Sequence, residues 1–181
     1  MSIPQEGGGP IERFEDLAAY LESGCKPKDA WRIGTEHEKF GYCTDTLKPL
    51  PYDGPRSIRA MLEGIGSRYG WQPVLEQGNI IGLSRDGANV SLEPGGQLEL
   101  SGAPLETIHQ TCDEVNEHLR EVQAVADGIG ARFIGLGAAP IWRQEDMPMM
   151  PKGRYRLMTV YMDRVGTMGK TMMYRTCTVQ V

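Results

Sequence analysis

Two glutamates alternate along a segment whose composition favours a β-strand. Glu36 and Glu38 are separated by His37, and alternate side chains of a strand lie on the same face. Two carboxylates placed side by side repel each other unless a cation or solvent separates them. Mg²⁺ binds through carboxylate oxygens, often together with the phosphates of a substrate. The pair therefore indicates either a metal site or a solvated outer face of a sheet, and two glutamates alone favour the solvated face.

A second acidic group surrounds a Pro-Gly-Gly sequence. Residues 88–100 are predicted to form one strand, in which Glu93, Gln97 and Glu99 share a face when counted by two. The Pro-Gly-Gly sequence would insert a bulge that changes the side to which Glu93 points, and an edge strand with a glycine bulge is the alternative explanation. Two neighbouring strands of this kind would bring four acids to one face, which favours a metal site. The four candidate metal ligands are Glu36, Glu38, Glu93 and Glu99.

Polar and basic residues near the end of the sequence offer partners for anions. Thr176, Thr178 and Gln180 alternate onto one face of a predicted strand and present hydroxyl and amide groups to a phosphate or a metal-bound water. Arg154 can bind a carboxylate through two hydrogen bonds, and the neighbouring Tyr155 can donate another. Arg154 and Tyr155 are therefore candidate substrate-binding residues. The alternatives are an ordinary Thr/Val strand and a helix start with surface bases.

The composition limits the classes of protein to be considered. A chain of 181 residues with 40% apolar residues suffices for one well-cored domain. The net charge of −5 gives no overall field that favours nucleic acid or an anionic membrane. No apolar run approaches the roughly 18 residues that a membrane helix needs, and residues 1–10 do not resemble a secretory signal. Because the four cysteines are widely spaced, we expect a protein of a reducing compartment, localised in the cytoplasm.

The elements that must position these residues follow from hydrophobic periodicity and turn residues. The longest helical pattern extends from Leu105 to Ala126, with Pro104 at its start and Gly128 at its end. Further helices are predicted before Gly24 and at 55–68 and 153–162. Hairpins combined with helices indicate an α+β fold rather than alternating βαβ units. Strands are predicted at 31–42, 71–76, 80–84, 88–100, 132–138 and 174–181.

Several of these runs, taken in order, resemble the motifs of one enzyme family. The segments 33–41, 91–105, 109–112, 150–155 and 175–181 are similar to signatures of plant and proteobacterial glutamate–cysteine ligases. The resemblance extends over residues 31–181 and implies a glutamine-synthetase-like antiparallel catalytic sheet with flanking helices, incomplete in this chain. It divides the chain into a flexible N-terminus, 1–10, and the N-terminal part of a single ligase catalytic domain, 11–181.

The resemblance also implies a reaction and a set of ligands. In this family ATP phosphorylates the γ-carboxylate of glutamate, and the cysteine amine then attacks the acyl phosphate, which is the first step of glutathione biosynthesis. The implied ligands are Mg²⁺, ATP, glutamate and cysteine, and the implied partner is the C-terminal half of the same enzyme. Neither nucleic acid nor a membrane is expected to bind. Carried over by position, the metal ligands are Glu36, Glu38, Glu93 and Glu99, with Gln180 beside the metal–phosphate cluster, and the substrate contacts are Arg154 and Tyr155.

The sequence leaves other interpretations open. One is a related carboxylate–amine ligase that uses a different amine, and another is a non-catalytic module that binds Mg²⁺ and nucleotide. Redox control through Cys112 or Cys177 is a third, with buried free thiols as the simpler explanation. Because family members are more than twice as long as this chain, we expect the isolated chain to be weak or inactive as a catalyst.

Overall fold

A computed structural model describes residues 9–181, so residues 1–8 of the predicted flexible N-terminus lie outside the described part of the chain. The elements follow the chain in the order α1, β1, α2, β2, β3, β4, β5, α3, β6, α4, α5, β7. The helices are α1 (Phe14–Glu22), α2 (Ile58–Tyr69), α3 (Ile108–Ile129), α4 (Gly153–Val165) and α5 (Gly169–Arg175). The strands are β1 (Glu36–Cys43), β2 (Gln72–Glu76), β3 (Asn79–Arg85), β4 (Ala88–Leu92), β5 (Leu98–Ser101), β6 (Ala131–Ile134) and β7 (Val179–Gln180).

Within residues 9–181 the paired strands are all antiparallel, and they join into one seven-stranded sheet. Its order is β2-β3-β4-β5-β1-β6, and β7 pairs with β1. Strand β1 is central to the arrangement because it pairs with β5 and β7 through its first half and with β6 through its second half. The predicted α+β class, an antiparallel sheet with flanking helices, is confirmed.

The hydrophobic core lies between one face of the sheet and helices α2 and α3. Leu98 and Leu100 of β5 and Val90 of β4 are completely buried there, together with Met61 and Leu62 of α2. Helix α3 is the long helix that the periodicity predicts. It begins with a capping box between Thr107 and Gln110 and ends at Gly130, whose positive φ of 69° suits glycine.

Several predicted strands are corrected by the structure. The run 88–100 is two strands, β4 and β5, because the chain reverses between them through a tight turn. In this turn the Glu93 N–H donates to the Gln97 carbonyl over 2.9 Å and the Gly96 N–H to the Glu93 carbonyl over 2.9 Å. Gly96 adopts a φ of 83°, a conformation that favours glycine.

The predicted strand 174–181 is also shorter than expected. Tyr174 and Arg175 end helix α5, which the sequence did not predict, and the strand that pairs with β1 is reduced to Val179–Gln180. The first predicted strand begins at Glu36 rather than at residue 31. Across the described residues 9–181, no helix is both long and apolar enough to cross a membrane.

Candidate active site

The candidate site lies on the sheet face that points away from α2 and α3. Glu38 of β1 and Glu99 of β5 are directly opposite each other in the antiparallel register, and Ser91 of β4 lies opposite Glu99 on its other side. Because Leu98 and Leu100 point into the helix-covered core, alternation directs Glu99 to the opposite face. The row Ser91, Glu99, Glu38 therefore crosses three neighbouring strands on one side of the sheet.

Hydroxyl groups hold the carboxylate of Glu99 in place. Ser91 Oγ donates to one carboxylate oxygen over 3.2 Å, and Ser101 Oγ donates to the other over 2.7 Å. The residue is only 4% exposed. Glu99 is thus a fixed acid beneath the surface of the site, and its orientation is set by its own strand and by β4.

Glu93 lies in the turn after β4 and contacts Glu99. Burial, followed by the charge of Glu99 and a hydrogen bond with it, raises the pKa of Glu93 to about 7, while the charge of Lys152 acts in the opposite direction. A pKa this high means that Glu93 carries a proton in a large part of the molecules near neutrality, which relieves its repulsion with Glu99. A cation placed between them would remove this penalty.

Glu38 accepts hydrogen bonds from Thr178, the residue that precedes β7. The Thr178 N–H donates to Glu38 Oε2 over 2.9 Å and Thr178 Oγ1 donates to Oε1 over 3.0 Å. Gln180 Nε2 donates in turn to Thr178 Oγ1 over 3.0 Å. Burial raises the pKa of Glu38, although the hydrogen bonds from Thr178 oppose this, and Glu99 and Glu36 add to the rise. Of the expected row Thr176, Thr178 and Gln180, the structure places the last two at this carboxylate.

The first turn of α4 places the guanidinium group of Arg154 and the phenol of Tyr155 beside Glu93. Tyr155 OH donates to the Leu92 carbonyl over 2.5 Å and lies 3.4 Å from Glu93 Oε1. Arg154 Nη2 donates to Tyr155 OH over 3.3 Å, and its guanidinium group lies 5.0 Å from the centre of the tyrosine ring. Burial, followed by the charge of Glu93, raises the pKa of Tyr155. The phenol therefore stays protonated and serves as a hydrogen-bond donor.

Lys152 is a site residue that the sequence reasoning missed. Its ammonium group donates to the Leu92 carbonyl over 2.7 Å, and burial lowers its pKa to about 8, with the charge of Glu93 opposing this. The available signal was its position two residues before Arg154, at the N-cap of α4. The first turn of α4 thus places a second cationic group beside Glu93.

Gln97 was predicted to share a face with the acids, and it lies beside Glu38 and Glu93. Its side-chain amide forms hydrogen bonds with backbone groups. It is 1% exposed, and its Nε2 donates to the carbonyls of Thr176 over 2.7 Å and Tyr174 over 3.3 Å. Its Oε1 accepts from the Gly95 N–H over 2.9 Å. The amide therefore joins the β4–β5 turn to the end of α5 and positions the segment that carries Thr178.

A cavity of about 210 Å³ collects most of the predicted residues. Two of the predicted metal ligands do not line it: Glu99 forms a hydrogen bond with Glu93, and Glu36 lies opposite Gln180 in the pairing of β1 with β7. Met158, Met172 and Met173 supply an apolar part of the wall. The predicted residues that line the cavity are Glu38, Glu93, Arg154, Tyr155 and Gln180.

The donor set of this cavity suits a hard cation. Its side chains offer carboxylate, amide and hydroxyl oxygens, which are the ligands that Mg²⁺ prefers. Within residues 9–181, no three acidic, histidine or cysteine side chains are arranged to ligate a single ion. The residues therefore fit a hard cation such as Mg²⁺ that takes one or two protein carboxylates and completes its ligands with other oxygens.

Fold and site together define an α+β protein with a carboxylate-lined pocket on an antiparallel sheet, flanked by basic groups. The model of the glutamate-cysteine ligase family 2 (GCS2) matches residues 32–181. The chain belongs to this family, so the resemblance stated from the sequence motifs is confirmed.

Individual relatives agree with this family. The chain is 58% identical over 167 residues to glutamate–cysteine ligase A, chloroplastic, of Oryza sativa subsp. japonica, covering 92% of this chain and 33% of that protein. It is 59% identical over 172 residues to the chloroplastic glutamate–cysteine ligase of Arabidopsis thaliana, covering 95% and 32%. For the chloroplastic enzyme of Nicotiana tabacum the identity is 58% over 167 residues, covering 92% and 31%.

These relatives bear on two further points. The chain spans about a third of the length of the curated relatives that it matches. The predicted cytoplasmic localisation is contradicted, because each of these relatives is a chloroplastic enzyme. The expectation was based on the spacing of the four cysteines, which indicates a reducing environment but does not distinguish one compartment from another.

Proposed function

We propose that this chain carries a carboxylate-bearing part of the active site of a glutamate–cysteine ligase, which joins the γ-carboxylate of glutamate to the amine of cysteine at the expense of ATP. The observation that carries the proposal is the convergence of Glu38, Glu93, Arg154, Tyr155 and Gln180 on one cavity, in a chain that belongs to the glutamate-cysteine ligase family 2.

The acids are assigned to metal binding. Glu36, Glu38, Glu93 and Glu99 would hold Mg²⁺, with Gln180 beside the metal–phosphate cluster. Bound Mg²⁺ supplies neutralisation of the charge on the phosphate oxygens of ATP during phosphoryl transfer. The raised pKa values of Glu93 and Glu38 support this assignment, because acids that repel one another gain most from an added cation.

Arg154 and Tyr155 are assigned to the substrates. Arg154 can bind a carboxylate through two hydrogen bonds, and Tyr155 can direct its O–H toward the same group or toward Glu93. Lys152 is 3% exposed and its ammonium group donates to the Leu92 carbonyl, so we assign it to balancing the charge of Glu93 rather than to contacting a substrate. Thr178 contributes by holding Glu38 through two hydrogen bonds, so that this carboxylate does not need to reorganise when the substrates arrive.

The reaction that we propose has two steps. An oxygen of the glutamate γ-carboxylate attacks the γ-phosphorus of ATP, the bond to the β-phosphate oxygen breaks, and ADP leaves with γ-glutamyl phosphate remaining. The cysteine nitrogen then attacks the acyl carbon, inorganic phosphate leaves, and the nitrogen loses a proton to give the amide. Positioning and charge neutralisation dominate such transfers, which agrees with a cavity rich in fixed polar groups.

The test measures ADP release from ATP in the presence of glutamate, with cysteine added or left out. It uses this chain and a form extended to the length of its relatives. We expect cysteine-dependent release from the extended form and little from the chain alone. We also expect Glu93→Gln to lower the rate by more than about tenfold, whereas Glu63→Gln, an exposed glutamate on α2, leaves it unchanged.

Two outcomes would redirect the assignment. Release that depends on another amine and not on cysteine would indicate a related carboxylate–amine ligase. Mg²⁺-dependent nucleotide binding by the extended form without any turnover would indicate a binding module. An unchanged rate in Glu93→Gln would contradict the role of that carboxylate.

A further inference from the structure

A second and larger cavity lies on the helix-covered side of the sheet, opposite the candidate active site. It occupies about 540 Å³ between the first half of α3 and the ends of β3, β4 and β5. Trp71, Leu100 and Leu105 form apolar parts of its wall. This volume falls within the range of roughly 300–1,000 Å³ that is typical of small-molecule sites.

The charged groups around this cavity are mostly acidic. Arg85 is the one basic side chain that lines it among the described residues, and it already donates to Glu117 over 2.8 Å and to Glu121 over 2.8 Å. The wall therefore keeps an excess of negative charge after this pairing. The acidic side chains that line the cavity are Asp86, Asp113, Glu114 and Glu117.

His118 provides an independent sign of a ligand. Its ring lines the cavity and is only 2% exposed, and neither ring nitrogen has a hydrogen-bond partner within residues 9–181. Buried polar atoms are nearly always paired, because leaving one unpaired costs free energy. Burial, followed by the charges of Lys39, His37 and Arg85, holds the pKa of His118 well below its usual range. The ring is thus neutral and offers one acceptor nitrogen.

Glu114 stands one helical turn before His118, on the same face of α3. Its Oε1 accepts a hydrogen bond from the Ala103 N–H over 2.8 Å. Its Oε2 is buried and has no partner within the described residues. A side chain at position 102 would collide with this carboxylate, so the glycine at that position and the Ala103 amide together fix where it lies.

We propose that this cavity binds a small organic cation, a primary ammonium group carried on an apolar body. The ammonium donates to the acceptor nitrogen of His118 and to the carboxylate of Glu114. The apolar body lies against Leu100, Leu105 and Trp71. The acceptor nitrogen of a neutral imidazole and the free oxygen of a carboxylate one turn away can both receive hydrogen bonds from one ammonium group, and the surrounding acids repel anions. A single metal ion is not the expected occupant, because no three potential ligands among residues 9–181 are arranged around one point.

The experiment compares two probes that share the same apolar body and differ in the head group, an ammonium in one and an uncharged hydroxyl in the other. Binding of 2-phenylethylamine and of its uncharged analogue 2-phenylethanol is measured by calorimetry at neutral pH. The nitrogen resonances of His118 are followed in parallel by ¹⁵N NMR. We expect the amine to bind and to shift these resonances, and the alcohol to bind at least roughly tenfold more weakly, since a charge-assisted hydrogen bond is lost.

Two variants, Glu114→Gln and His118→Leu, locate the binding, and Glu63→Gln is the control. Glu114→Gln keeps an oxygen for the Ala103 amide and so preserves the fold, and we expect it to weaken amine binding by roughly tenfold. Glu63→Gln, an exposed glutamate on α2, should leave binding unchanged. His118→Leu removes the acceptor nitrogen without leaving a polar atom unpaired, and it should weaken binding in the same way.

The proposal is overturned by any of three results. One is equal affinity for amine and alcohol, another is no amine binding at millimolar concentration, and the third is the same affinity in Glu114→Gln and Glu63→Gln. These results are independent of ligase activity, because the readout is binding to the chain and the probes are neither nucleotides nor amino acids.

Discussion

Glu38 and Glu99 lie opposite each other on paired strands, and both oxygens of each carboxylate accept a hydrogen bond. Thr178 binds Glu38, and Ser91 and Ser101 bind Glu99. Like charges directly opposite in an antiparallel pair are destabilising. The sheet nevertheless fixes both acids with hydrogen bonds, and this relationship is the main support for the metal site that we propose.

The first prediction concerns the pH dependence of stability. The pKa of Glu93 is about 7 in the folded chain against 4.5 for an ordinary glutamate. A raised folded pKa means that the folded state binds more protons than the unfolded state. The contribution of Glu93 to the free energy of unfolding is therefore fully present below about pH 4.5 and is lost as pH rises to about 7. The loss is at most about 3 kcal/mol. Urea denaturation between pH 4.5 and 8, without divalent cations, measures it.

Glu93→Gln tests the origin of this effect. The amide cannot ionise and can still accept from Tyr155, so the free energy of unfolding should vary less with pH and should exceed that of the parent chain at pH 8. Glu63→Gln serves as the control, because this glutamate is exposed on α2. A variant that keeps the full dependence between pH 4.5 and 7 would show that another group is responsible.

The second prediction separates Thr178 from its neighbour Thr176. Thr178→Val removes the hydroxyl that donates to Glu38 Oε1 over 3.0 Å and keeps the shape of the side chain. We expect the pKa of Glu38 to rise further and the free energy of unfolding to fall by about 1 kcal/mol. The Thr176 hydroxyl donates instead to the Met172 carbonyl, so Thr176→Val should leave the pKa of Glu38 unchanged.

A ¹³C NMR titration of the glutamate carboxyl carbons measures both variants. Equal changes in the Glu38 pKa for Thr178→Val and Thr176→Val would contradict a specific role for the Thr178 hydroxyl.

The sequence predicted those parts of the structure that depend on local periodicity. Alternation in β1 placed Glu36 and Glu38 on one face, and the spacing from Leu105 to Ala126 predicted most of α3. Both signals are repeated over several residues, so a single exception does not alter them.

The sequence failed where one turn decided the outcome. The Pro-Gly-Gly sequence within residues 88–100 was interpreted as a bulge in one strand, but two backbone hydrogen bonds around Gly96 make this run a hairpin. Pairing of Glu93 with Glu99 therefore comes from the turn rather than from counting by two. Gln97 and Lys152 could not be assigned, because their partners are backbone carbonyls distant in the sequence.

The third prediction concerns Gln97 as a positioning residue. Gln97→Leu leaves the Thr176 and Tyr174 carbonyls and the Gly95 N–H without their present partner. We expect the free energy of unfolding to fall by about 2–4 kcal/mol. The amide hydrogens of residues 177–180 should exchange faster, since this segment loses its attachment to the β4–β5 turn.

The matched control is Gln123→Leu. Gln123 is an exposed glutamine on α3, and its side-chain amide donates a hydrogen bond to Asp127. We expect this variant to change stability by less than about 0.5 kcal/mol. If exchange at 177–180 accelerates equally in both variants, the attachment through Gln97 is not what orders this segment.

The last prediction compares two glutamates that share one arginine. Arg85 donates to Glu121 over 2.8 Å and to Glu117 over 2.8 Å, and the side chain of Glu121 is 5% exposed whereas that of Glu117 is 53% exposed. Glu121 also accepts from the Trp71 indole N–H over 2.9 Å. Removing a buried partner leaves a desolvated charge and an unpaired indole donor, so Glu121→Ala should cost about 3 kcal/mol.

Glu117→Ala removes a partner that water can replace, so it should cost less than about 1 kcal/mol. Chemical denaturation of both variants in one buffer gives the two free energies, and raising the salt concentration should reduce only the smaller one, because the pair at Glu117 is open to solvent. A similar cost for both variants would mean that solvent reaches Glu121 as easily as Glu117. The burial of Glu121 beside Arg85 would then be contradicted.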